Sequence, residues 1–186
     1  MFIDLETERL LLKCIGYDDV EFFYKQFSTA EVNQYLYDVE PFDSVEDAKK
    51  WISFYLESEP GNQHRWIMVL KENGEKIGTC GFHCWNRETG ETEIGYDLQP
   101  SYWRKGYTSE ALTAIIKFAA EEMKVKKIFA HISKDNIASV RTSEKMGFLK
   151  TGKQYYEEFN GEKYLHDIYC FDIEANTGLI MSQNGK

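Results

Sequence analysis

One stretch of the sequence gathers several kinds of reactive side chain: a carboxylate at Glu93, a glycine at Gly106, and around that glycine the cations Arg104 and Lys105 and the hydroxyls of Thr108 and Ser109. The carboxylate could accept a proton. The others could hold a pyrophosphate, provided the chain turns at Gly106 from a strand into a helix. The first N–H groups of a helix lack intrahelical partners and lie at its positive end, so an anion can accept several hydrogen bonds there. Gly106 would let the backbone approach closely. The spacing fits neither GxGxxG nor GxxxxGK[ST], and many such turns hold no ligand. A second stretch, 135–148, puts Asn136, Ser139 and Ser143 on one face at helical spacing. That polar face could serve a ligand, or it could be a helix cap with two solvated serines.

The elements that must position these groups alternate between the two periodicities. Residues 9–15 read as a first strand and Asp18 and Asp19 as caps of a helix reaching Phe27. Ser44 opens a second helix, with Val45, Ala48, Trp51, Ile52, Tyr55 and Leu56 as its apolar stripe. Strands follow at 66–70 and 77–85 around the turn pair Asn73-Gly74, then a strand at 91–98 and a helix at 105–123. Residues 127–132 form the next strand and 136–146 a helix stopped by Gly147, and strands at 148–159 and 164–173 flank Asn160-Gly161. This is a mixed α/β chain: a mostly antiparallel central sheet begun by hairpins, with one strand-helix-strand crossover and flanking helices. We expect one domain over residues 1–175 and a flexible tail over 176–186.

Composition excludes several classes. A formal charge of −9 argues against nucleic-acid binding and suits a cationic amine. No apolar run approaches the roughly 20 residues of a membrane span. Cys14, Cys80, Cys84 and Cys170 lack paired metal-site spacing, and Cys80 and Cys84, four strand steps apart, would stand roughly 13 Å from each other. We read them as buried thiols in a reducing, cytoplasmic setting, with no metal site. His166 and Asp167 adjoin on a strand and so face opposite ways, and no GxSxG turn is present, which leaves a hydrolase without its machinery.

Taken in order, the stretches 5–12, 93–96, 106–111 and 136–148 resemble the GNAT superfamily of N-acetyltransferases, in particular the branch that acetylates the N-termini of ribosomal proteins. The likeness spans residues 5–173. It implies a GNAT fold whose strands at 91–98 and 127–132 splay apart around acetyl-CoA, the acetyl donor. By the same resemblance, the pantetheine arm pairs with backbone at Leu98 and Gln99, and the pyrophosphate rests on Arg104, Lys105, Gly106, Tyr107, Thr108 and Ser109. Asn136 and Ser139 face the arm. The glycine pattern departs from that of the family at Trp103 and Thr108, and Ser143 stands where many relatives carry a tyrosine that protonates the leaving thiolate.

The implied reaction is direct attack of a primary amine on the thioester in a ternary complex. An amine with a pKa of about 10.4 must first lose a proton. Glu93 matches a strand glutamate that serves as base in some relatives, and burial would raise its pKa toward the useful range. Near Leu98 a backbone N–H could stabilise the oxyanion. Ser139 is the candidate for protonating or positioning the sulfur, with Tyr155 and Tyr156 as alternatives. The acceptor stays open between a protein N-terminus and a small molecule such as a polyamine or aminoglycoside, and a non-catalytic acyl-CoA-binding protein is the reading from another class. A monomer or homodimer is expected.

Overall fold

The computed structural model describes residues 2–37, 40–57, 61–176 and 178, so nearly all of the expected tail lies outside the described residues. Eight strands form one sheet in the order β1-β2-β3-β4-β5-β6-β8-β7. They are β1 (Leu5–Glu6), β2 (Leu10–Cys14), β3 (His64–Leu70), β4 (Lys76–Asn86), β5 (Glu91–Leu98), β6 (Lys127–Ser133), β7 (Leu149–Phe159) and β8 (Glu162–Asp172). The helices are α1 (Val20–Phe27), α2 (Ala30–Asn33), α3 (Val45–Glu57), α4 (Tyr107–Glu121) and α5 (Ile137–Lys145).

Turn chemistry fixes the hairpins as expected. Asn160 and Gly161 both take positive φ, at 51° and 78°, which is the geometry of the tightest hairpin turn, and they place Phe159 opposite Glu162. The expected first strand is present as β2, and a short strand that was not expected, β1, precedes it and pairs with it in a hairpin. Asp19 stands at the N-cap of α1, but its side chain makes no cap hydrogen bond to that helix. Its carboxylate accepts the Gly16 N–H upstream at 2.8 Å and pairs with Lys76 at 2.7 Å. Ser44 does cap α3, accepting the Asp47 N–H at 3.3 Å. The apolar stripe of that helix is narrower than its sequence suggests, since Ala48, Ile52 and Tyr55 are buried while Val45 and Leu56 are exposed.

Among the described residues only one pair of strands is parallel, β5 with β6 across the α4 crossover. That pairing matches Glu91 with Lys127, Thr92 with Ile128 and Glu93 with Phe129, and then it stops. Beyond Glu93 the strands diverge, opening the sheet in its middle.

The sheet has a core on each face. On one side α4 packs Leu112, Ile115 and Ala119 against Trp66, Met68, Phe82, Ile94 and Leu98. On the other, α1 and α3 pack Phe23, Phe27 and Ile52 against Ile67 and Val69. Strand alternation therefore sends Ile94, Tyr96 and Leu98 of β5 toward the helix α4 side, and Glu93, Gly95 and Asp97 toward α1 and α3.

Beneath α1 and α3 lies a buried polar network. Arg65 donates to the Asp97 carboxylate at 2.9 Å, to the Thr79 hydroxyl at 2.7 Å and to the Tyr55 hydroxyl at 2.9 Å, while Gln26 donates to Asp97 at 2.7 Å. Thr79 also donates its hydroxyl proton to Asp97. Burial works against the guanidinium charge, but Tyr55 and Asp97 outweigh it and hold the Arg65 pKa above its ordinary value. Removing one member of such a buried pair strands the other charge, at a cost of about 3–5 kcal/mol. Asp97→Ala is therefore expected to lower the urea-unfolding free energy by about that amount; a loss of less than about 1 kcal/mol would show that the network contributes nothing particular.

Candidate active site

The turn into α4 is built as a cradle. Arg104 and Gly106 both adopt the left-handed conformation, at φ 61° and 83°, and the first helical bond runs from the Glu110 N–H to the Gly106 carbonyl at 3.1 Å. The N–H groups of Tyr107, Thr108 and Ser109 thus belong to the turn that an α-helix leaves without internal partners. A Cβ on Gly106 would meet only Arg9 Nη2, at 3.4 Å, so the space above the glycine is open.

Arg9 braces this turn from behind. Its Nη1 donates to the Lys105 carbonyl at 2.9 Å, its Nε to the Glu110 carboxylate at 2.6 Å, and its guanidinium lies 4.4 Å from the centre of the Tyr107 ring. Thr7 donates to the same carboxylate at 2.6 Å. Burial pushes the Glu110 pKa up, but the Thr7 and Arg9 hydrogen bonds prevail and hold it below the usual carboxylate value.

At the end of β5 the backbone has definite commitments. The Gln99 N–H donates to the Ile77 carbonyl of β4 at 2.9 Å, so by antiparallel alternation the polar groups of Tyr96 and Leu98 face away from β4, into the gap. The Leu98 carbonyl accepts the Trp103 indole N–H at 2.7 Å, and the Leu98 N–H lies beyond the last β5–β6 pair, Glu93 with Phe129. Of the two residues expected to pair with the pantetheine arm, Leu98 has its polar groups toward the gap and Gln99 has its N–H on β4.

Two cavities meet at the gap. One, of about 730 Å³, runs from the α4 cradle past Leu98 to α5. The other, of about 600 Å³, lies toward α3 and is lined by Glu93, His83, His131 and Tyr155, among others. Asn136, Ser139 and Tyr96 border both. Asn136 is the N-cap of α5, its Oδ1 accepting the Ser139 N–H at 3.1 Å. Tyr96 places its hydroxyl 2.7 Å from Ser139 Oγ and 3.4 Å from Ser143 Oγ. The stripe on α5 is thus a cap and a phenol's partners together, not solvated serines.

On the α3 side, Glu93 Oε2 stands 3.8 Å from His131 Nδ1 with its side chain 37% exposed, so it is not sealed in an apolar pocket as expected. His83, opposite Glu93 in the register, lies across Gly95, where a Cβ would come within 2.5 Å of its Nε2. Burial, with Arg65 and His131 adding to it, pulls the His83 pKa down to about 3, leaving a neutral imidazole at physiological pH.

A family model for the acetyltransferase (GNAT) domain matches residues 9–149 of this chain. The chain belongs to the GNAT acetyltransferase family. It is 33% identical over 171 residues to the uncharacterized N-acetyltransferase p20 of Bacillus licheniformis, covering 91% of this chain and 94% of that one. To the uncharacterized N-acetyltransferase YoaA of Bacillus subtilis it is 36% identical over 172 residues, covering 91% and 96%. A solved GNAT acetyltransferase from Bacillus anthracis superposes with a TM-score of 0.77 at 26% identity, covering 92% of this chain and 99% of that one. The fold is shared as well by a spermidine N-acetyltransferase from Vibrio cholerae solved with CoA and spermine, at TM-score 0.78 and 18% identity, covering 88% and 95%. This GNAT chain is accordingly an acetyl-CoA-dependent acetyltransferase, and the cradle, the Leu98 edge and the α5 cap border one cavity.

Of the residues expected at the donor site of this GNAT enzyme, Leu98, Arg104, Gly106, Tyr107, Thr108, Ser109, Asn136 and Ser139 line the larger cavity. Lys105 and Gln99 do not: the Lys105 carbonyl is held by Arg9 and the Gln99 N–H by β4. Glu93 and Tyr155 line the smaller one, whereas Tyr156 is 63% exposed and lines neither cavity. Sequence reading missed Tyr96, His83 as a cavity wall, and the Arg9 brace. A phenol alternating with Ile94 and Leu98 was the available signal, being a polar handle on an otherwise apolar face. As for the thiols, burial pushes Cys80 up to about 12, and burial and then Glu93 raise Cys84, which leaves no activated thiolate. The described residues contain no cluster able to hold a metal ion and no helix long and apolar enough to cross a membrane.

His83 can keep its place only because residue 95 has no side chain. Gly95→Ala is expected to displace the imidazole and raise KM for the amine at least about tenfold while leaving acetyl-CoA affinity within about twofold, since the clash lies on the α3 face and the cradle on the other. Steady-state kinetics with calorimetry of acetyl-CoA binding checks this, and equal losses in both would contradict it.

Proposed function

We propose that this enzyme transfers the acetyl group directly to a primary amine held in the smaller cavity, in a ternary complex with acetyl-CoA. The observation that carries the proposal is that two cavities, one reaching the α4 cradle and the other reaching Glu93, share a wall beside the point where the β5–β6 pairing ends. An acetyl group delivered through the gap from the cradle side would be met by an amine from the α3 side. Glu93 is the group to take the proton of the amine, directly or through water, and a Leu98 N–H facing the gap is suited to the oxyanion.

A cationic amine suits the smaller cavity. Glu93 and Glu157 supply negative charge, and Trp51, Tyr55 and Tyr155 supply aromatic faces on which an alkylammonium can rest. The formal charge of −9 draws such a substrate toward the protein. Two acceptor classes meet these conditions: the N-terminus of a protein, suggested by the likeness to the ribosomal-protein branch, and small polycations. The four free cysteines fit a reducing, cytoplasmic setting.

A panel of N-terminal peptides, polyamines and aminoglycosides, followed by thiol release from acetyl-CoA, tests the proposal. At least one primary amine should release thiol in step with amide formation, and saturating acetyl-CoA with no release from any of them would overturn it. With the amine in hand, Glu93→Gln should lower kcat/KM about 100-fold near pH 6.5 and much less near the pKa of the amine, where the free base forms unaided. A loss equal at all pH values would remove Glu93 as the base.

A further inference from the structure

Acetyl transfer from a thioester ends with cleavage of the C–S bond, whose electron pair stays on sulfur. A thiolate with an ordinary pKa of about 8.5 then needs a proton donor at hydrogen-bond distance. The sulfur must sit where the donor cavity opens into the acceptor cavity, because the pantetheine arm reaches it from one and the amine reaches the carbonyl from the other. Five residues border both: Tyr35, Leu36, Tyr96, Asn136 and Ser139. Only the two phenols and the serine carry a hydroxyl proton, and an alkyl hydroxyl is a far weaker acid than a phenol, whose ordinary pKa is about 10.

The two phenols differ in how they are held. Tyr35 follows α2 outside any strand or helix, and its hydroxyl accepts from the exposed Gln34 amide at 3.2 Å. Tyr96 projects from β5 at the splay itself, with its oxygen 2.7 Å from Ser139 Oγ and 3.4 Å from both Ser143 Oγ and the Ser139 carbonyl. We propose that Tyr96 is the catalytic acid that protonates the departing CoA sulfur, with Ser139 and Ser143 as the positioning residues that hold its oxygen. The step balances: the phenol proton moves to sulfur, giving the free thiol, and the phenolate recovers a proton from solvent after the base has released there the proton taken from the amine. While it lasts, the phenolate is stabilised by the two serine hydroxyls, which can rotate to donate to it. This also gives Ser143, 1% exposed, a partner for a hydroxyl otherwise buried without one. Burial raises the Tyr96 pKa against the lowering effect of the serine hydrogen bonds, so the phenol keeps its proton through the neutral range.

The inference rests on thioester cleavage, which the family membership supplies, and on neither the identity of the amine nor the role of Glu93. Tyr96→Phe should lower kcat about 100-fold with acetyl-CoA affinity within about twofold, and should abolish the alkaline limb of the kcat profile, whereas Tyr35→Phe should change kcat less than threefold. Ring-fluorinated tyrosine placed at position 96 alone, which keeps the shape of the side chain, should move that limb down by as much as fluorination lowers the phenol pKa. A titration of bound CoA by thiolate absorbance needs no acceptor: the thiol pKa should be higher in Tyr96→Phe than in the unaltered enzyme, because the hydrogen bond that favours the thiolate is gone. Unaltered kcat in Tyr96→Phe, an alkaline limb indifferent to fluorination, an equal loss in Tyr35→Phe, or the same bound-thiol pKa with and without the phenol would each overturn the assignment. Failure to find any amine acceptor would count against the proposed function alone, since the CoA titration would still report on Tyr96.

Discussion

Everything chemical in this molecule depends on a pairing that is cut short. β5 and β6 run parallel for three matched positions and then part after Glu93 and Phe129. Parallel strands need a crossover, and here α4 supplies it, so the same topological unit that opens the gap also brings a helix N-terminus to its mouth. Without the divergence, the polar groups of Tyr96 and Leu98 would be spent on a neighbouring strand. With it, a strand edge and a helix start face one elongated space.

The period of two along β5 then distributes the work. Glu93, Gly95 and Asp97 serve the α3 face as acid group, clearance for His83 and anchor for Arg65. Ile94 and Leu98 go into the core under α4, and Tyr96 between them reaches α5. Proton acceptor and proton donor candidates thereby lie on opposite faces of one strand, with the gap beside them. The buried Arg65–Asp97 network fixes the floor on the α3 side, while Arg9 and Glu110 fix the cradle from the first hairpin, 96 residues upstream of the Lys105 carbonyl that Arg9 holds.

The hairpins, the crossover and both long helices were legible in the sequence because they depend on local signals: turn pairs such as Asn160-Gly161, the Ser44 cap, and apolar spacing in α4. The cradle was legible too, through Gly106 and its neighbours. What escaped were features made by contacts distant in sequence. Arg9 looked like the start of a strand and acts on a turn 96 residues away; Asp19 looked like a cap and holds Lys76 instead. Short α2 has too few residues to show a period, and nothing local shows that the Tyr96 oxygen meets a helix 43 residues later. Leu98 and Gln99 differ through parity: one residue along a strand is the difference between facing the gap and facing β4.

A sheet opened in its middle has two inner edges, and an open edge invites any extended segment to complete it. Trp103 answers this on the β5 side. Its indole N–H already occupies the Leu98 carbonyl. A stray peptide would find a donor without the alternating acceptor that ladder formation requires, whereas a ligand needing only that donor would find it ready. The residue that breaks the glycine pattern thus leaves an edge suited to a partner that asks for one hydrogen bond and poorly suited to a chain that asks for many.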